Sequence, residues 1–163
     1  MSGEVKPLLV ILMGSAADRS HADKVEAVAT SLGIEVEQRI GSAHKTPNHV
    51  LAVLDAYRAD PRPKAYVTIA GRSNALSAFV DAYVDDPVIS CPPLSMPEDV
   101  WSSLRMPSDV APMVVLDPAN AGLAAAKIAA LHDPELRKRV SEHKLNEAAK
   151  VTAADSEIQH VSA

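Results

Sequence analysis

Six apolar residues in unbroken succession, Leu8 to Met13, stop at Gly14-Ser15 and give way to polar positions through Asp18. A run without alternation suits a strand covered on both faces, as in a parallel sheet, and the polar stretch beyond it suits a turn and a helix start. Ala22, Val25, Val28, Ala29 and Leu32 then share one helical face, with Gly33 at a helix C-cap, so the spacing predicts a helix over about 18–32. From Ile34 to Ile40 the pattern changes to alternation with Glu35, Glu37 and Arg39, the mark of a strand half open to solvent near a sheet edge.

The same unit recurs. Thr46 and Pro47 supply an N-cap and a first helical residue for an apolar stripe through Val50, Val53, Leu54 and Tyr57. A third strand is predicted over 65–70, a helix over 75–83, a fourth strand over 88–90, a short helix over 100–104 and a fifth strand over 113–116. From Asn120 a helix rich in Ala and Gly is apolar nearly all round, and the expected cover for it is another subunit. Asp133-Pro134 starts a charged helix to about Ala149, and a polar tail that frays is expected after about Lys150. Repeated βα units call for right-handed crossovers and hence a parallel sheet with helices on both faces. The expected domain is single and spans 1–163.

Composition narrows the class. A hydrophobic fraction of 47% with only 3% aromatics puts the core in Val, Ile, Leu and Ala, which suits a parallel α/β sheet. A net charge of −5 argues against nonspecific nucleic-acid binding, and Leu8–Met13 is too short to span a bilayer. Cys91 is the only cysteine and cannot form an internal disulfide; with no secretory signal pattern at the N-terminus, a cytoplasmic location is expected.

Ligands of such sheets bind outside the strand C-termini, near the point where strand order reverses. The three loops on that edge would gather Gly14, Ser15 and Asp18; Ser42, Ala43, His44 and Lys45; and Gly71, Arg72, Ser73 and Asn74. Gly14 admits close backbone approach, and Asp18 or a neighbour caps a helix whose N-terminus favours an anion such as phosphate. His44 is the one imidazole placed for proton transfer. The same residues also read as plain turn and cap chemistry, with Lys45 and Arg72 as surface charges. Neither a dinucleotide fingerprint nor a Walker loop is present, and the histidines show no metal-ligand spacing.

Five stretches carry a resemblance: Met13-Gly14-Ser15, Ser42-Ala43-His44-Lys45, Ala70-Gly71-Arg72-Ser73-Asn74, Pro87 to Pro93, and Asp99 to Pro107. In this order they resemble the aminoimidazole ribonucleotide carboxylase family of purine biosynthesis, over about Leu8 to Leu131. The likeness is to its class II branch, since the class I mutases have Ser-Ala-His-Arg and a Gly-Ala-Gly-Gly-Ala-Ala-His-Leu loop. It implies a flavodoxin-like three-layer αβα sandwich with a parallel sheet of about five strands, assembled as a homo-oligomer, an octamer in preference to a tetramer. It further implies ATP-independent carboxylation of aminoimidazole ribonucleotide by carbon dioxide with no cofactor, metal or biotin. His44 would be the base, Ser15 and Asp18 would hold phosphate and ribose, and Lys45 would offset phosphate or carboxylate charge. Two positions depart from the family: Ala17 replaces a phosphate-binding serine, and Ala78 stands where the class II loop has Gly. The alternatives are the class I mutase reaction and a non-catalytic nucleotide- or phosphate-binding module.

Overall fold

The computed structural model describes residues 6–161; the ends of the expected domain, 1–5 and 162–163, lie outside them. Five parallel strands, β1 (Leu8–Met13), β2 (Glu35–Ile40), β3 (Lys64–Ile69), β4 (Val88–Ser90) and β5 (Met113–Val114), form one sheet in the order β2-β1-β3-β4-β5. This is the flavodoxin-like order expected, with β2 on the edge as its alternation required. The helices are α1 (Arg19–Ser31), α2 (Pro47–Arg58), α3 (Ala75–Asp81), α4 (Trp101–Leu104), α5 (Pro118–Ala129) and α6 (Pro134–Val161).

Every side chain of β1 is at most 1% exposed. Successive residues point to opposite faces, so Leu9, Ile11 and Met13 join α1, α5 and the start of α6 in one core, and Leu8, Val10 and Leu12 join α2 and α3 in the other. Each such burial contributes roughly 1.5–3 kcal/mol. That division is the three-layer sandwich.

Four expectations change. The alanine-rich helix finds its cover within the chain: Ala121, Gly122, Ala125 and Ala126 are buried, and a Cβ on Gly122 would stand 2.5 Å from the Val25 carbonyl oxygen. Small residues are there because α5 lies almost backbone to backbone on α1. It also begins two residues earlier than expected, capped by Asp117, whose carboxylate accepts the Asn120 N–H at 2.8 Å. α6 runs on to Val161 in place of a frayed tail after Lys150, because 135–161 contain neither Gly nor Pro and are rich in good helix formers. β5 is two residues long, and Val115 adds one further bond, N–H to the Ser90 carbonyl at 3.0 Å. No described helix is long and apolar enough to cross a membrane.

Candidate active site

Met13 pairs in register with Ile40 on one side and Ile69 on the other. The sheet pairing continues one residue further, with Gly14 N–H to the Ile69 carbonyl and Gly41 N–H to the Met13 carbonyl, both at 2.8 Å. Three neighbouring strands therefore release their chains at one level, and because β2 and β3 flank β1, that level is where strand order reverses. A cavity of about 390 Å³ lies there, lined by Gly14, Ser15, Asp18, Ser42, Ala43, His44, Lys45, Gly71, Arg72 and Ser73. Its size suits a small-molecule ligand.

Each loop is held by its own backbone chemistry. After β1 a 3-10 turn, Ala16–Asp18, precedes α1, and the Ser15 N–H and hydroxyl both donate to Asp18 Oδ2, at 3.0 and 3.1 Å. Asp18 thus turns back on Ser15 and makes no side-chain cap bond to α1. The first N–H groups of the turn have no intrahelical acceptor, so this end still favours an anion. A Cβ on Gly14 would meet Ala70 Cβ at 3.4 Å, an ordinary contact, so its neighbours do not demand glycine there.

After β2, the Ser42 carbonyl accepts the Thr46 N–H at 2.8 Å, the Ser42 hydroxyl accepts the Lys45 N–H at 3.2 Å, and Thr46 Oγ1 accepts the Ser42 N–H at 3.0 Å. Thr46 closes this turn instead of capping α2 with its side chain. The turn fixes the backbone of His44 and leaves its imidazole exposed, with no hydrogen bond among the described residues.

The loop after β3 departs most from expectation. Asn74 is 1% exposed and does not line the cavity. Its Nδ2 donates to Ser90 and Ser103 hydroxyls at 2.8 and 2.9 Å, and its Oδ1 accepts the Ser77 N–H and hydroxyl at 3.1 and 3.0 Å. The Ser77 hydroxyl lies 2.7 Å from that of Thr68, also wholly buried. With all its amide hydrogens and its oxygen engaged inside, Asn74 is a structural hub and α3 cap. Arg72, at the cavity, has φ 57°, a left-handed conformation that costs a non-glycine residue on the order of 1–2 kcal/mol. Packing favours glycine at 71, because a Cβ there would sit 3.1 Å from the Pro93 carbonyl oxygen, tighter than an ordinary contact.

Pro93 and Ser95 also line the cavity, brought by the segment after β4, along with Ala17, Ala70 and Leu76. The Pro92-Pro93 stop was a readable sign of a loop at this sheet edge, whereas Ser95 carried no signal. Of the two departures from the family pattern, Ala17 faces the cavity and Ala78 does not. Cys91 lies outside it, buried, with its sulfur 3.3 Å from His21 Nε2. Burial, with a smaller effect of Asp117, pushes its thiol up to about 12, while burial and Lys24 lower the His21 imidazole. That is an inert thiol, as expected of a small buried hydrophobe.

The AIR carboxylase family model matches residues 8–150. Phosphoribosylaminoimidazole carboxylase from Treponema denticola is 48% identical over 158 residues, covering 95% of this chain and 99% of that protein. The enzyme of that name from Archaeoglobus fulgidus is 45% identical over 153 residues, covering 92% and 84%. The crystal structure of Treponema denticola PurE superposes with a TM-score of 0.91 at 49% identity, covering 93% of this chain and 98% of that one. On sequence and fold alike, the chain belongs to the AIR carboxylase family.

Proposed function

We propose that the protein reversibly carboxylates 5-aminoimidazole ribonucleotide with dissolved carbon dioxide, giving 4-carboxy-5-aminoimidazole ribonucleotide without ATP, as in the class II branch. The observation that carries this reading is that His44 and Lys45 share one cavity with Ser15 and Asp18 and with Arg72 and Ser73. Proton transfer, anion binding and sugar recognition meet there.

The amino group of the substrate feeds electron density into the ring, so the ring carbon beside it attacks carbon dioxide. A carbon–carbon bond forms as one C=O electron pair moves to oxygen, which becomes the new carboxylate. The ring carbon that made the attack still holds its hydrogen, and the ring carries the positive charge. Neutral His44 takes that hydrogen as a proton, the C–H pair returns to the ring, and aromaticity is restored; the imidazolium returns the proton in the reverse direction. Among the described residues no group bonds the exposed His44 ring, so the ring is free to turn towards bound substrate. Lys45 and Arg72 offset the developing carboxylate or the phosphate. The free N–H groups at the start of the helical turn receive the phosphate, joined by the Ser15 hydroxyl once it turns its hydrogen from Asp18 to the anion, and Asp18 accepts from ribose hydroxyls through the oxygen that Ser15 leaves open.

Class II chemistry is favoured over the mutase by Lys45 and the Gly71-Arg72-Ser73 loop. A mutase must hold carbon dioxide released from its own substrate in a closed apolar pocket, whereas this loop is polar and exposed at Arg72 and Ser73. The test is an assay with purified protein, aminoimidazole ribonucleotide and bicarbonate, without ATP. Product should form, rise with dissolved carbon dioxide and increase when carbonic anhydrase speeds its supply. Conversion of the N-carboxy isomer with no response to carbon dioxide would promote the mutase, and ribonucleotide binding without conversion would leave a binding module.

A homo-oligomer in the cytoplasm completes the reading. Leu94, Met96, Trp101 and Leu104, on the segment that also supplies Ser95, are between 46% and 60% exposed and suit burial against another copy. A monomer in sedimentation at assay concentrations would overturn the oligomer.

A further inference from the structure

Arg72 holds its left-handed backbone against an intrinsic preference, so something must over-determine it. The neighbouring bonds show what does. The Ser102 hydroxyl, on α4, lies 2.9 Å from the Arg72 carbonyl oxygen and accepts the Asn74 N–H at 2.9 Å. Its one hydrogen has a second, longer option in the Asp99 carbonyl at 3.2 Å. Ser102 therefore grips the loop on both sides of Ser73 from a helix some thirty residues away in sequence.

The grip has a rigid base. The adjacent Ser103 hydroxyl accepts from Asn74 Nδ2 inside the buried cluster with Ser77 and Ser90, which locks α4 to the start of α3 and to β4. Ser102 stands where this cluster meets the cavity rim.

We propose that Ser102 is a positioning residue for the reaction: by bonding the Arg72 carbonyl and the Asn74 amide together it holds Arg72 and Ser73 in the shape that faces the substrate's carboxylate. It touches no substrate itself, and its kinetic consequence rests on the carboxylase reading above. Ser102→Ala removes the bridge from a partly exposed site without opening a core cavity; Ser102→Thr keeps the hydroxyl. A reacting group misplaced by about 1 Å can cost a hundredfold in rate. Accordingly, Ser102→Ala should lower kcat/KM for carbon dioxide by about tenfold to a hundredfold, with Ser102→Thr restoring most of it and thermal midpoints close to wild type.

The amide of Asn74, measured by hydrogen exchange in the full chain, gives a second readout. Its exchange should quicken in Ser102→Ala and return to the wild-type rate in Ser102→Thr, with the amides of β1 unchanged. Activity within twofold of wild type in Ser102→Ala, or an equal loss in Ser102→Thr, would overturn the proposal. Should wild type itself fail to carboxylate aminoimidazole ribonucleotide, the carboxylase reading falls and with it the kinetic role. The exchange of Asn74 then decides the clamp alone, and an unchanged rate in Ser102→Ala would sink that too.

Discussion

One carboxylate oxygen of Asp18, Oδ2, receives both the backbone N–H and the hydroxyl of Ser15, so the two residues expected to hold phosphate and ribose are bonded to each other. In the proposed binding mode they form one pre-shaped cradle for the ribose phosphate, remote from the reacting carbon. Such contacts strengthen ground state and transition state alike, so their loss should appear in KM more than in kcat. Ser15→Ala and Asp18→Ala should each raise KM for the ribonucleotide by roughly tenfold to a hundredfold, the range of hydrogen bonds to charged groups, with kcat reduced much less. Steady-state kinetics at saturating carbon dioxide decides it; wild-type KM in both variants would mean the cradle lies elsewhere.

Asn74→Ala should behave as a stability defect. The change strands the Ser103 hydroxyl and the Ser77 N–H in a dry interior, where each unpaired group costs about 1–3 kcal/mol, while the Ser77 and Ser90 hydroxyls keep each other as partners. Partial relaxation leaves an expected loss of roughly 2–4 kcal/mol, at about 2–4 °C of melting midpoint per kcal/mol. Calorimetry showing an unchanged midpoint beside a raised KM would return Asn74 to the set of substrate ligands.

Asn74 also shows where sequence reading stops. A polar residue after a strand end belongs either to a ligand or to the fold, and the two look alike until its neighbours are known. Here the neighbours come from residues 77, 90 and 103, brought together only by the tertiary fold. The bonds of Ser102 and the place of Ser95 at the cavity were unreadable for the same reason. What was legible depended on local pattern: the unbroken run of β1, the alternation of β2, and Pro at the first turn of α2 and α6. Those units order the sheet, and the sheet order alone puts His44, Ser15 and Arg72 on one edge. The alanine-rich helix misled, because an apolar surround reads alike whether the cover is another subunit or α1.

Two tyrosines should respond oppositely to loss of the hydroxyl. Tyr66 is fully buried and its hydroxyl has no partner among the described residues, whereas the Tyr57 hydroxyl donates to Glu37 Oε2 at 2.7 Å. Burial raises the pKa of both, so neither ionises at neutral pH. Removing an unsatisfied buried group is neutral or favourable, while removing a bonded one costs about 1 kcal/mol. Denaturant melts should show Tyr66→Phe at or above wild-type stability and Tyr57→Phe below it; the reverse order would mean that the Tyr66 hydroxyl is partnered.

Gly122→Ala tests the contact of α1 with α5. In an open helix this change gains about 1 kcal/mol of propensity. Here the new methyl would sit 2.5 Å from the Val25 carbonyl oxygen and 3.2 Å from Val28 Cβ, both on an opposing helix that cannot retreat alone. Overpacking of this kind costs typically 1–3 kcal/mol, so after the gain in propensity the net change should be a destabilisation of up to about 2 kcal/mol. A higher melting midpoint would show that the helices have slack.

His44→Asn carries the heaviest consequence for mechanism. Asparagine keeps a polar planar group near the size of the imidazole, on a turn whose backbone bonds run through Ser42, Lys45 and Thr46, so the loop and the phosphate cradle should survive. The variant loses the proposed general base, the one imidazole among the described residues that line the cavity, and losing a general base typically costs about 100-fold to 10,000-fold in rate. Calorimetric titration should find ribonucleotide affinity within a few-fold of wild type while turnover falls into that range. In the proposed mechanism proton removal and proton return share the imidazole, so decarboxylation of the product should fall by the same factor, which a merely structural role would not require. Near-normal turnover in either direction would remove His44 from the mechanism and leave a water molecule or another subunit's residue as the base.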